Sequence, residues 1–234
     1  MPDLQEIYRT RPDRYDELVS LEDWTGNLLP AIRSRVRLDD AVVVEFGAGT
    51  GRVTRLLAPH VRSIAAFDAS RPMVDAAARR LARDGHANCS VSLADHRAVP
   101  AATGLADIAI AGWTISAIAV AEKDWRPEVE RALGEMRRVL RPGGTIVIIE
   151  TLGTGWPAPH PPDSLLAYYD LLKSRAFEDT WVRTDYRFRD LEEARSLTRF
   201  FFGEGPLAAL ERREDGVILP ECTGLWWTTR GPDA

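Results

Sequence analysis

The stretch VVVEFGAGTGR (42–52) constrains this chain more than any other. Four apolar residues and one acid run into glycines at 47, 49 and 51, and a helical pattern begins directly after them. A strand with no polar alternation is covered on both faces, which is the situation of a parallel sheet. The same kind of run returns at SIAAFD (63–68), SVSLAD (90–95), ADIAIAG (106–112) and TIVIIE (145–150).

Helix-period segments lie between these runs. RVTRLLAPHV (52–61) places Val53, Leu56 and Leu57 on one face. From Ser70, read as an N-cap with Pro72 near the helix start, a stripe of Met73, Val74, Ala77, Ala78 and Leu81 follows. From Trp125, the apolar positions Val129, Leu133, Met136 and Leu140 repeat at helical spacing until Pro142-Gly143-Gly144 stops them. Repeated strand–helix units predict an α/β fold: a mostly parallel sheet with helices on both faces.

After Glu150 the pattern changes. Residues 151–163 are rich in Gly and Pro and read as a loop, 164–176 as a helix, and 177–188 as a polar, aromatic stretch. Asp190 and Glu193 form a capping-box pattern before a helix that ends at Gly203. LAALERR (207–213) and TGLWWTTR (223–230) are the closing strand candidates. Ahead of the first strand, residues 1–38 read as a helical cap carrying Tyr8, Tyr15 and Trp24.

At 234 residues, one domain is expected, with 151–188 as an inserted lid. The net charge of −5 argues against a nucleic-acid partner. Cys89 and Cys222 lack metal-ligand spacing, so no metal is expected, and they read as thiols in a reducing cytosol. The N-terminus is too polar for a signal peptide, and the run 108–121 is too short to span a bilayer, so no membrane partner and a cytoplasmic location are expected.

Glycines at a strand–helix bend take positive φ and let a ligand approach the main chain, near the positive end of the following helix dipole. The spacing here is G-x-G-x-G, and Arg52 stands where a dinucleotide fingerprint has its third glycine. Asp68 ends the second strand 21 residues past Gly47, where a carboxylate accepts both hydroxyls of a ribose. An NAD-dependent oxidoreductase or a non-catalytic nucleotide-binding protein stays open at this stage.

Five segments in order resemble the class I S-adenosylmethionine-dependent methyltransferases: VVVEFGAGTGR, AAFDASRPMVDAA, ADHRAVP, DIAIAGW and VLRPGGTIVIIE, together spanning 41–150. The resemblance implies a Rossmann-like seven-stranded sheet with an antiparallel last strand, which 207–230 would supply as a hairpin-like pair. It implies S-adenosyl-L-methionine as cofactor and S-adenosyl-L-homocysteine as product. Glu45 would fix the loop near the methionine ammonium, with Gly47, Ala48, Gly49 and Gly51 along the methionine part. Asp68 would bind the ribose, Ala69 and Met73 would pack on the adenine, and Asp95, beside the His96 main chain, would accept the adenine amino group. Gly112 and Trp113 would lie by the sulfonium, and Tyr15 by the methionine end. A bulky Trp113, and His96 where relatives often have a short side chain, depart from the family pattern.

Methyl transfer is an in-line displacement that needs alignment more than acid–base chemistry, and a base only if the acceptor must lose a proton. Ala111-Gly112-Trp113-Thr114 stands where amino-methylating relatives carry an Asn-Pro-Pro-Tyr type motif, which points away from DNA adenine. The expected acceptor is a small organic molecule. Trp113, Glu150, Trp156 and Tyr168 are its lining candidates, and His160 is the one candidate base in the lid. Glu150 reads equally as a helix cap, and only one of Tyr168 and Tyr169 can face a pocket.

Overall fold

A computed structural model describes residues 3–231. Three short helices lead the chain: α1 (Leu4–Thr10), α2 (Pro12–Val19) and α3 (Leu28–Arg33). The strand–helix units follow as β1 (Val42–Phe46), α4 (Arg52–Leu57), β2 (Ser63–Asp68), α5 (Arg71–Asp84), β3 (Cys89–Leu93), β4 (Ala106–Gly112), α6 (Ile115–Ala121), α7 (Trp125–Val139) and β5 (Leu140–Thr154). Then come α8 (Asp163–Ser174), β6 (Glu178–Arg183), β7 (Tyr186–Phe188), α9 (Leu191–Phe202), β8 (Glu211–Arg213), β9 (Gly216–Leu219) and β10 (Glu221–Thr229).

Seven strands form the main sheet in the order β3-β2-β1-β4-β5-β10-β6. The first five pair in parallel, and β10 runs antiparallel to both β5 and β6. Strand alternation divides the core between two faces. In β1, Val44 and Phe46 join Leu133, Met136 and Tyr168 from α7 and α8, whereas Val43 joins Leu28, Ile32, Val53 and Leu57 from α3 and α4. Glu45 falls on that second face, over α4. A small sheet, β7-β9-β8, covers a third core with Leu18, Phe188 and Leu197.

Several expectations are corrected here. Residues 151–188 do not form a lid: α8 packs into the main core, and 178–183 become the edge strand β6. Its polar alternation hid it, because an edge strand tolerates charge on its solvent side. The partner of β10 is therefore β6 rather than 207–213, which splits into a 3₁₀ turn (Gly205–Ala209) and the exposed β8. Pro142-Gly143-Gly144 does not terminate α7; that helix ends at Val139, and the three residues belong to the start of β5. Ser70 occupies the N-cap position of α5 without capping it, since its hydroxyl donates to the Tyr8 carbonyl at 3.2 Å.

Candidate functional site

At the carboxyl ends of β1, β2 and β4 the helices splay apart and leave a cavity of about 650 Å³. Ligands of open α/β sheets bind at this edge, and the volume lies within the range of small-molecule sites. The sequence places Tyr15, Glu45, Gly47, Ala48, Gly49, Asp68, Ala69, Met73, His96, Gly112 and Trp113 in one wall, and all eleven meet there. The helix α1 closes the outer side with Tyr8 and Arg9.

The glycine bend is held tightly from within. Gly47 sits at φ 67°, and a Cβ there would lie 1.9 Å from Thr114 Oγ1, so only glycine fits. The Ala48 N–H donates to the Phe67 carbonyl at 2.9 Å, the Gly49 N–H to Asp68 Oδ2 at 2.7 Å, and the Gly51 N–H to the Ala48 carbonyl at 2.9 Å. With three of its amides engaged inside the protein, the bend offers less to a pyrophosphate, which needs free N–H donors. The other oxygen of Asp68, Oδ1, accepts the Ser70 N–H at 2.8 Å. Each carboxylate oxygen keeps a further lone pair for a hydroxyl. Burial pushes the Asp68 pKa up, opposed by these two amides.

Glu45 lies beneath the bend, and its Oε2 accepts from Thr54 Oγ1 at 2.6 Å. It is 1% exposed. Burial pushes its carboxyl up to about 8 against the lowering by Thr54, so it is protonated at neutral pH. Tyr15 packs edge-on to Tyr8, with ring centroids 5.4 Å apart, and burial pushes its phenol up to about 12. Burial also raises the Tyr8 phenol. His96 has a buried Nε2 with no partner in the protein, and burial lowers its pKa, leaving a neutral ring.

Other predicted residues fall outside the cavity. Gly51, left-handed at φ 86°, is the N-cap of α4, where a Cβ would touch Ala77 at 3.4 Å. Both Asp95 oxygens accept from the Arg97 guanidinium, at 2.9 and 2.7 Å, and that pairing pulls Asp95 down to about 2. Glu150 is a helix cap: it accepts from the Ser116 N–H at 2.9 Å and the Ser116 hydroxyl at 2.6 Å at the start of α6. Burial pushes Glu150 up to about 7. Tyr168 is fully buried with its hydroxyl 3.4 Å from Glu150, and Tyr169 is buried as well, so both are core. His160 is exposed and stacks on the half-exposed Trp156 at 3.9 Å, so neither faces the cavity. Among the described residues, none from 151–188 lines it.

The sequence pattern left Arg52 without a role and gave Tyr8 only a place in the N-terminal helical cap. The Arg52 guanidinium carbon lies 3.9 Å over the Trp113 ring, and Nη1 pairs with Glu22 Oε2 at 2.7 Å. Glu22 also accepts from the Tyr186 hydroxyl at 2.5 Å and from Thr184 Oγ1 at 3.1 Å, which ties the small sheet to the cavity floor. Arg52 Nη2 is buried and has no partner. Trp113 holds φ 51°, a costly conformation for a bulky side chain, and at such a site strain points to function. The one sequence cue to Arg52 was its place where a third glycine is expected.

A family model described as "Methyltransferase domain" matches residues 43–144. A malonyl-[acyl-carrier protein] O-methyltransferase of Salmonella typhimurium is 30% identical over 220 residues, covering 88% of this chain and 80% of the relative. The chain belongs to the class I S-adenosylmethionine-dependent methyltransferases. It is thus an S-adenosylmethionine-dependent methyltransferase, with that molecule as its cofactor. The enzyme of the same description from Serratia marcescens is 25% identical over 187 residues, covering 75% of this chain and 68% of its own length. Among solved structures, an S-adenosylmethionine-dependent methyltransferase from Aquifex aeolicus superposes with a TM-score of 0.59 at 15% identity, covering 94% of this methyltransferase and 98% of that chain. Phosphoethanolamine N-methyltransferase 2 of Haemonchus contortus, solved with S-adenosyl-L-methionine, gives 0.60 at 14%, covering 97% and 59%. These two likenesses concern the fold. No described helix is long and apolar enough to cross a membrane, and no group of metal-binding side chains occurs among the described residues.

Proposed function

We propose that the cavity holds S-adenosylmethionine and that the methyl group passes to a carboxylate oxygen of a small acyl acceptor. Asp68 is the ribose ligand, since both of its oxygens are oriented by backbone amides and retain acceptor capacity. Glu45, neutral in the protein alone, faces the ammonium of the methionine moiety, whose positive charge lowers the buried carboxyl toward its ionised form. Ala69 and Met73 flank the adenine. With the Asp95 carboxylate engaged by Arg97, adenine recognition falls to His96, whose unpartnered Nε2 matches a nucleobase edge. The helices of residues 1–38 act as the cap over this site, through Tyr8, Arg9 and Tyr15.

The cofactor supplies an activated methyl on a sulfonium, with a neutral thioether as leaving group. The protein's work is to orient and to exclude water. One observation carries the choice of acceptor: of the titratable groups lining the cavity, Asp68 and His96 are taken up by the nucleoside, and those left beside Trp113 are held in forms that take up no proton. Tyr8 and Tyr15 are pushed up and stay protonated, Glu45 is protonated or paired with the cofactor's ammonium, and Arg52 is a fixed cation. An alcohol or amine acceptor needs a base there, whereas a carboxylate arrives deprotonated. Arg52 is the matching cation, because its guanidinium keeps an unused nitrogen beside Trp113. The named relatives, which act on a malonyl group held by an acyl-carrier protein, agree with such an acceptor.

The test is transfer of labelled methyl from S-adenosylmethionine to a malonyl thioester, followed by mild alkali. A methyl ester releases its label as volatile methanol. Label that survives alkali, or that appears only with alcohols or amines, removes the carboxylate reading. Calorimetric titration with S-adenosylmethionine, S-adenosylhomocysteine and NAD tests the cavity separately, and uptake of NAD alone would overturn the assignment of these residues.

A further inference from the structure

Behind the cavity wall lies a second concavity of about 770 Å³, between the start of α2 and the outer face of α9. Arg11, Arg14, Arg195 and Arg199 line it, against the single carboxylate of Glu192. The chain as a whole has more acids than bases, 35 against 30, so the groove is opposite in sign to the net charge of the protein. Arg14 is held in place by Ser196 Oγ at 2.6 Å and lies 5.2 Å over the Phe200 ring. Arg199 pairs with Glu204 at 2.5 Å. Arg11 and Arg195 are exposed, and no carboxylate among the described residues pairs with either.

The groove and the cavity share a wall. Tyr8 and Tyr15 line the cavity, and both rings pack on Phe201, at 6.4 and 5.4 Å, next to Phe200 of the groove. Arg11 stands at the junction of α1 and α2, two residues from Arg9 on the cavity rim. Guanidinium groups fix carboxylates in two-point contacts, and a basic patch of this size steers an acidic protein more than it supplies affinity.

We infer that the four-arginine groove between α2 and α9 docks a small acidic carrier protein that presents the acceptor on a flexible arm to the neighbouring cavity. The inference rests on the acyl-acceptor reading for the chemistry of the cargo, and on charge complementarity for the surface. The arm passes from Arg11 over the rim at Arg9 into the cavity, so docking and chemistry stay on separate residues.

The test uses the full chain and its Arg11→Glu/Arg195→Glu variant; neither residue lines the cavity. Methyl transfer is measured to a malonyl group on purified acyl-carrier protein, and to malonyl on N-acetylcysteamine. The expected result is a rise in KM for the protein-borne substrate of about tenfold or more, with kcat and the small thioester unchanged. Equal effects on both substrates, or on neither, overturn the docking surface. Fluorescence anisotropy with labelled acyl-carrier protein, at about 50 mM and about 300 mM salt, reads docking without turnover. Salt-sensitive binding that the variant loses supports the groove even if malonyl is never methylated, in which case the acyl-acceptor reading alone falls. Absence of binding by the parent chain, or variant-sensitive binding of a single-stranded oligonucleotide in place of the carrier, overturns it.

Discussion

Replacing Glu45 with glutamine gives the most demanding test of the site's electrostatics. The folded chain holds this carboxyl at about 8, against an ordinary 4.5, because burial outweighs the one hydrogen bond from Thr54. The sign follows from linkage. A raised acid binds its proton more tightly in the folded state, so its share of stability is complete below pH 4.5 and is lost as pH rises through 8. At about 1.4 kcal/mol per pH unit, the loss between pH 5 and pH 8 is about 4 kcal/mol, an upper figure that local relaxation reduces. The amide of the Glu45→Gln variant copies the neutral acid, still accepts from Thr54, and does not titrate. Its buried amide protons add a penalty of about 1–3 kcal/mol that does not depend on pH. Denaturant unfolding of both proteins at pH 5, 7 and 9 should therefore give curves that converge or cross. The variant should be the weaker at pH 5 and gain steadily on its parent toward pH 9, while its S-adenosylmethionine affinity matches the parent's at pH 5 and falls behind it as the parent carboxyl ionises toward pH 9. A constant offset across that range would refute a neutral buried Glu45.

Asp68→Asn should weaken S-adenosylmethionine binding by about 1–3 kcal/mol, the worth of a charge-assisted hydrogen bond, as read by calorimetry; unchanged affinity removes Asp68 from the site. Gly47→Ala should abolish cofactor binding in a folded protein, because its Cβ meets Thr114 at 1.9 Å, and Gly47→Ala/Thr114→Gly should recover part of it. Arg52→Met should cost about 3–5 kcal/mol in unfolding free energy by stranding Glu22, and Arg52→Met/Glu22→Gln should return most of that; equal stabilities would show that the buried pair is not formed. His160→Ala should leave turnover within about twofold, since the ring stacks on Trp156 away from the cavity; a large loss would return His160 to the chemistry.

Apart from α6, which lies inside the apolar run 108–121, the order of strands and helices was legible from β1 to β5 because each parallel strand is a short apolar run and each helix an amphipathic stripe. These are local signals, and motif spacing then led to the bend, Asp68 and His96. Edge strand β6 and small-sheet strands β7 and β9 were not legible, since polar residues are tolerated at an edge and pairing with a distant strand leaves no local mark. The same holds for Asp95 and Glu150. The resemblance marked Asp95 as a ligand, and Glu150 read equally as a substrate contact or a helix cap; Arg97 engages the first and the first turn of α6 the second.

The sequence by itself determined the parallel sheet, the glycine bend and the carboxylate at the end of β2, because periodicity and backbone freedom are properties of adjacent residues. Only the tertiary structure decided which polar groups remain available to a ligand. Burial pushes Glu45 up, Arg52 has a free nitrogen, and α1 rather than the segment after β5 lines the cavity. Each of these depends on which distant neighbour fills a lone pair or excludes water, and that is settled by packing.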